Sequence, residues 1–428
     1  MEQWEQHKKS EGMDMTTRIV VTGLGVVSPL GTGIDTFWNE LKEGRSGISR
    51  IDTFDVSEQK TKIAGLVRDF DPEALFGRKE ARKMDRFTQF GLAAAEQALE
   101  DAGLQLERID RERLAVYVGS GIGGLQTLQE NEAQLRKRGP GRVSPLLVPM
   151  MIPNMAAAQI SIRLGSLGPT LAPVTACSIG NTAIGEAFRL IRAGVADVVF
   201  AGGAEAVVTD ISLASFSAAT ALSRRNDEPE RASRPFDAGR DGFIMAEGAG
   251  ILVLESLEHA LRRDARIYAE VIGYGATSDA YHIVATPPDG NGAFRAMKLA
   301  LQEAGLEPGE VDVISAHATS TEVGDRSEAA AIKRLFGEGG RTPAVTATKS
   351  MLGHMLGASG GAQAAALAKS LQEGVLTPTI NLEQPDPECG GLDIVANAGR
   401  RADAKVGLTN SFGFGGHNAV IAMRKYEA

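Results

Sequence analysis

Cysteine is nearly absent from this chain: there are two in 428 residues, Cys177 and Cys389. They stand too far apart in sequence for a small disulfide framework, so a reducing compartment such as the cytoplasm is the simpler expectation. Aromatic residues make up only 5% while glycine occurs 50 times, which points to helices packed closely on sheets. No apolar run approaches the ~18 residues of a membrane span. The polar stretch 1–17 lacks the apolar centre of a signal peptide and reads as a flexible extension. The positive field of a general nucleic-acid binder is missing as well, since the formal net charge is -9.

Strand-like and helix-like segments alternate along the rest of the chain, the pattern of an α/β fold. Residues 18–27 and 114–119 read as strands, and 86–103 reads as a helix that stops at glycine. The second half repeats parts of this grammar. ALEDAGL (98–104) and ALQEAGL (300–306) each precede a strand, while VTAC (174–177) and VTAT (345–348) each lead toward a helix. Two matched pairs in one order suggest duplicated halves, 18–265 and 266–428, and equivalent strands would then deliver their residues to one central site.

Cys177 ends an apolar, strand-like lead-in and precedes the amphipathic stretch 183–191. Such a thiol is either a small buried hydrophobe or a nucleophile whose thiolate is favoured by the unpaired N–H groups of a helix start. Histidine is scarce enough for each of the six to be read by its setting. His7 lies in the extension and His259 in a charged helix, and both read as solvated; His282 sits in a polar loop, as a structural residue or at an entrance. His317 ends an apolar strand, and His354 and His417 lie in glycine-rich strings. Three other patterns carry less. Gly119 to Gly124 fits the dinucleotide glycine pattern but equally a turn or pocket wall. GASGG (357–361) fits the serine-hydrolase elbow around Ser359, though alanine and glycine abundance generates such matches. A zinc site of Cys177, His317 and His354 lacks a short ligand pair.

The strings TACS (175–178), AHATSTEVGD (316–325), TKSMLGH (348–354) and NSFGFGGHN (410–418) occur together and in order. In this the chain resembles the elongating β-ketoacyl-acyl carrier protein synthases, over about 18–423. The resemblance implies a thiolase-like fold of two duplicated halves in five layers, αβαβα, assembled as a homodimer. It implies a decarboxylative Claisen condensation that elongates a fatty acyl chain, with acyl carrier protein as partner and no cofactor or metal. Cys177 is the implied acyl-accepting nucleophile, and His317 and His354 the implied pair that binds the malonyl thioester carbonyl. Lys349 would support them with Glu328 as its carboxylate partner and Asp325 nearby. The N–H groups of Cys177 and Phe414 would form the oxyanion hole. A histidine at 354 separates the chain from initiating synthases, and Cys177 separates it from chain-length factors, which lack the nucleophile.

Ile122, Phe216 and Phe414 resemble residues of the acyl tunnel and its gate, with plain core packing as the other reading. Three positions depart from the family's usual strings: Ala318 replaces glycine, His417 replaces threonine, and Val284 replaces a threonine that contacts pantetheine, leaving Thr319 and Thr321 for that contact. Basic residues gather at Lys79, Arg82 and Lys83 and again at Arg136, Lys137, Arg138 and Arg142. Charge runs of this kind are commonly solvated surface, but the first matches the family's carrier-docking region. The rivals are a ketosynthase of a polyketide or polyene pathway, a non-catalytic chain-length-factor-like subunit, and a thioester hydrolase using Cys177 or Ser359.

Overall fold

The computed structural model describes residues 17–337 and 342–427; His7 and the extension up to residue 16 lie outside the described residues. The first half runs β1 (Ile19–Ser28), α1 (Arg86–Ala102), β2 (Leu114–Gly119), α2 (Met155–Leu164), β3 (Thr170–Leu171), α3 (Ile179–Arg192), β4 (Val198–Glu205) and β5 (Gly248–Ser256). The second runs β6 (Ala269–Ser278), α4 (Asn291–Ala304), β7 (Val313–Ser315), α5 (Glu322–Phe336), β8 (Ala344–Thr346), α6 (Ser359–Glu373), β9 (Asp393–Ile394), β10 (Val406–Gly413) and β11 (His417–Lys425).

Strand order is β3-β2-β4-β5-β1 in the first half and β8-β7-β10-β11-β6 in the second, with β9 added beyond β8. The directions match as well. β2 pairs in parallel with β3 and β4, and β5 is antiparallel to β4 and β1; β7 is parallel to β8 and β10, and β11 antiparallel to β10 and β6. β1 also meets β6 from Ile19 opposite Val271 to Val21 opposite Ala269, so the two sheets are joined along one edge.

Between the sheets lie α3 and α6, whose Ile184, Phe188, Ala362 and Leu367 share one apolar core with Leu252 and Ile421. α1 and α2 cover the outer face of the first sheet and α4 and α5 that of the second, which completes five layers. The repeated strings have a physical cause here. A Cβ at Gly23 would fall 2.3 Å from the carbonyl oxygen of Ala98, and one at Gly273 would fall 2.2 Å from that of Ala300. In both halves, then, a strand glycine and a helix alanine permit the same close helix-on-sheet approach.

The second repeated pair is displaced from where the strings put it. Ala176 (φ 50°) corresponds to Leu356 (φ 46°): each opens a 3-10 turn, Ala176–Ser178 or Leu356–Ala358, that runs into α3 or α6. Cys177 therefore matches Gly357, whereas Thr348 precedes a separate short helix, Lys349–Leu352. Nor is the lead-in to Cys177 a strand, because pairing ends at Leu171 and Pro173 has no N–H to give to a ladder. His259 is not solvated either: its Nδ1 lies 2.5 Å from Oε2 of the buried Glu255, which also pairs with Arg263.

Candidate active site

Cys177 sits at the centre of its 3-10 turn, immediately before α3, and is buried. The turn is pinned from the other half, since Ser178 Oγ donates to the carbonyl of His417 at 2.7 Å. Gly413 makes this possible, because a Cβ there would fall 2.7 Å from the Thr175 carbonyl oxygen and 3.0 Å from the Cys177 nitrogen. The backbone N–H groups of Phe414 and of Cys177 itself favour the thiolate form of the sulfur.

These donors do not make the resting thiol acidic. Burial is the largest influence and pushes Cys177 up to about 11; the Lys349 charge pulls it down, Glu205 raises it, and the two N–H groups lower it. Desolvation thus outweighs the helix-start effect expected from the sequence. A group raised in this way stays protonated through neutral pH and ionises only as pH climbs toward that value. The alkylation rate of Cys177 by iodoacetamide, followed by peptide mass, should therefore still be rising at pH 10. A rate that levels off near the ordinary thiol value of 9.0 would contradict the burial argument.

His317 and His354 meet edge to face, with ring centroids 5.5 Å apart and planes at 90°. Burial, reinforced by the Lys349 charge, holds both well below the usual imidazole range; for His317 the neighbouring His354 adds to this. Both rings are therefore neutral at physiological pH, each with one N–H to donate and one lone pair. Lys349 lies behind them. Its Nζ donates to the carbonyl of His317 at 2.6 Å and to Gln363 Oε1. Burial lowers Lys349 to about 8, against the upward pull of Glu328, Cys177 and Asp325.

Glu328 is thus not the hydrogen-bond partner of Lys349 expected from the sequence. Its oxygens accept from the backbone N–H groups of His317 (2.9 Å) and Ala318 (2.7 Å) and from Asn410 Nδ2 (2.9 Å), and it reaches the lysine only through its field. The side chain that takes the ammonium is Gln363, on α6, which also donates to the Ala316 carbonyl at 3.0 Å. Asp325 braces the loop, accepting from Phe236 N–H at 2.9 Å and Ser320 N–H at 3.1 Å beside Arg240.

Cys177, His317, His354 and Glu328 all line one cavity of about 630 Å³, together with Ile122, Phe216, Thr319, Thr321 and Phe414. Rings line it continuously: Phe414 to Phe216 (6.4 Å), Phe216 to Phe243 (5.4 Å), Phe243 to His354 (5.4 Å), and His317 to Phe412 (5.5 Å). The arrangement offers a thiol, two neutral N–H donors and an apolar chamber, which suits acyl transfer followed by stabilisation of an enolate.

A family model described as "Beta-ketoacyl synthase, N-terminal domain" matches residues 16–260, and "Beta-ketoacyl synthase, C-terminal domain" matches 268–383. The chain belongs to the β-ketoacyl synthase family. It is 50% identical over 410 residues to a 3-oxoacyl-[acyl-carrier-protein] synthase 2 of a Synechocystis species, covering 96% of this chain and 98% of that one. Among solved structures, a β-ketoacyl synthase from Burkholderia phymatum superposes with TM-score 0.90 at 35% identity, over 96% of this chain and all (100%) of that one. A type II polyketide ketosynthase, solved in complex with its acyl-carrier protein, superposes with TM-score 0.89 at 36% identity, with the same coverage of 96% and 100%.

In this β-ketoacyl synthase the departure at position 318 has a measurable consequence. Ala318 adopts φ 29° in a buried turn, a conformation that L-residues with a Cβ resist. Ala318→Gly should therefore stabilise the fold by about 1 kcal/mol, read as a higher urea midpoint at unchanged slope; an unchanged or lower midpoint would mean the turn is unstrained. Val284 lines the cavity, where it offers no hydroxyl. His282 is structural, its Nδ1 accepting from the N–H groups of Val284 (3.1 Å) and Ala285 (3.0 Å).

Two polar residues of the synthase's site escape a reading of motifs, Glu205 and Gln363, while Ser359, marked in the sequence only by the elbow pattern, faces His354. Glu205 is a buried carboxylate at the end of β4 that accepts from Ser120 Oγ (2.8 Å) and from the N–H groups of Gly121 (2.8 Å), Ile122 (3.1 Å) and Gly357 (3.1 Å). It ties the wall that carries Ile122 to the turn facing Cys177. A lone acid closing the apolar strand VVFAGGAE was the available signal. The basic residues lie outside the cavity: Lys79 is in the short exposed helix Arg78–Ala81, Lys83 pairs with Glu80 at 2.7 Å, and Arg82 stands 4.0 Å from Glu73. In the second group, Arg136 pairs with Glu132 on the helix Leu125–Arg138.

Proposed function

We propose that the chain is a 3-oxoacyl-[acyl-carrier-protein] synthase in which Cys177 holds the acyl chain and His317 and His354 direct decarboxylation. In the first half-reaction the Cys177 sulfur attacks the thioester carbonyl of acyl-carrier protein; the new C–S bond forms, the bond to the carrier sulfur breaks, and the proton given up by the thiol ends on the departing carrier thiol. In the second, malonyl-carrier loses carbon dioxide while its thioester oxygen gains negative charge against the two imidazole N–H groups. The resulting carbon nucleophile attacks the acyl carbonyl. Its oxyanion is held by the N–H groups of Cys177 and Phe414, and departure of the Cys177 sulfur gives 3-oxoacyl-carrier. Lys349 and Glu328 position the His317 segment from behind.

The observation that carries this reading is the convergence of Cys177 with two neutral imidazoles on one largely apolar cavity. Equal amounts of carbon dioxide and 3-oxoacyl-carrier, from acyl- and malonyl-carrier, are the expected products. Free acid without carbon dioxide would instead mean a hydrolase.

The acidic carrier docks on Lys79, Arg82 and Lys83 in this reading. Replacing all three with alanine should lower the carrier-dependent rate and flatten its dependence on salt; an unchanged rate and salt dependence would remove the docking assignment. The enzyme works as a cytoplasmic homodimer, the second copy covering the edge of the first sheet at β3. Ile162 and Leu167 are both more than 70% exposed there, beside Leu171 and Val174. Sedimentation should give twice the 45.1 kDa chain mass; a monomer would contradict it.

A further inference from the structure

We propose that Ser359 is the positioning residue that fixes the tautomer of His354, its hydroxyl donating to Nδ1 so that Nε2 keeps the N–H available to the cavity. This rests on the role proposed above for His354 as a donor to the malonyl thioester oxygen.

His354 is held on every side except in the placement of its proton. Its backbone N–H donates to the Ile244 carbonyl at 2.7 Å, and its own carbonyl accepts from Ala246 N–H at 2.9 Å. Its ring stands edge to face with both Phe243 and His317. The chain then passes through the 3-10 turn Leu356–Ala358 and returns to the same ring at Ser359, the first residue of α6. There the buried Ser359 Oγ lies 3.0 Å from His354 Nδ1, its one hydrogen-bond partner among the described residues.

Two arrangements fit that distance. If Nδ1 carried the hydrogen, the serine would accept it and its own O–H would be buried without an acceptor, which is unfavourable. Nε2 would also present a lone pair to an oxygen that becomes negative during decarboxylation. If the serine donates, both groups are satisfied and Nε2 is left as the N–H. His317 provides the contrast, since its Nδ1 is buried without a partner. One imidazole of the pair is thus locked as a donor by a neighbouring hydroxyl, whereas the other has no such lock.

Outer partners that fix an imidazole are worth about 10–100-fold where they have been measured on metal-bound histidines. Ser359→Ala should sit at the lower end, with kcat for decarboxylation of malonyl-carrier falling roughly tenfold, KM unchanged and acylation of Cys177 retained. Ser359→Thr, which keeps the hydroxyl, should recover most of the rate. Nitrogen-15 spectra of histidine-labelled full-length protein should show His354 in one tautomer in the wild type and in two in Ser359→Ala. A Ser359→Ala enzyme that decarboxylates at the wild-type rate, or whose His354 stays in one tautomer, overturns the inference. His354→Ala separates the two levels of the account. If it is impaired while Ser359→Ala is not, only the serine's role fails; if it decarboxylates normally, the assignment of His354 fails and the inference falls with it.

Discussion

Cys177→Ala will abolish condensation, by about 10⁴-fold or more, and will still release carbon dioxide from malonyl-carrier. The loss is large because the sulfur is the atom to which the acyl group is bonded between the half-reactions, and no neighbouring group can substitute. Ser178 is occupied in pinning the turn to His417, and Ser359 faces His354. Decarboxylation survives because it needs the two imidazoles and the cavity, neither of which depends on the sulfur. The measurement is paired: condensed product by chromatography and carbon dioxide from labelled malonyl-carrier. Simultaneous loss of both would mean that the thiol takes part in decarboxylation or that the site collapses without it.

The histidine variants should divide the reaction the other way. His317→Ala and His354→Ala remove one donor each from the developing enolate oxygen, a change that typically costs about 10²–10³ in rate. Acylation of Cys177 should fall much less, since its oxyanion rests on backbone N–H groups that neither substitution removes. The neutrality of both rings gives the effect its pH signature. Burial depresses their pKa values far below 6.5, so the donors are neither gained nor lost across the physiological range. A decarboxylation rate that steps at pH 6.5 in the wild type would contradict that electrostatic picture. Equal loss of both half-reactions in the variants would contradict the division of labour.

Much of this architecture was legible in the sequence because it rests on local chemistry. The strand at 114–119 and the helix ending at Gly103 were marked by apolar runs and a glycine stop, and the duplication showed through ALEDAGL and ALQEAGL because both meet a strand glycine. The reactive side chains were legible through the resemblance of whole motifs. What was not legible depends on three-dimensional burial. The sequence leaves Cys177 as either a buried thiol or a thiol favoured by helix-start N–H groups; both influences are present, and how far burial outweighs the N–H groups depends on packing that no local string reports. The resemblance names Glu328 as the carboxylate partner of Lys349, and Glu328 is the carboxylate that acts most strongly on the ammonium, but through its field. Its oxygens bond two backbone N–H groups and Asn410, and the hydrogen bond goes to the neutral Gln363, which no motif marks. VTAC and VTAT matched as text but not in space, because the turn that pairs with Cys177 lies later, at Leu356–Ala358.

The central claim is that Cys177 carries the acyl chain to a carbon nucleophile. Intact-protein mass spectrometry after incubation with acyl-carrier protein tests it most directly. The account predicts one acyl adduct per chain, mapped by peptide to Cys177, stable in buffer and discharged on addition of malonyl-carrier with release of carbon dioxide and 3-oxoacyl-carrier. No adduct, an adduct on another residue, or discharge to free acid before malonyl-carrier is added would contradict it.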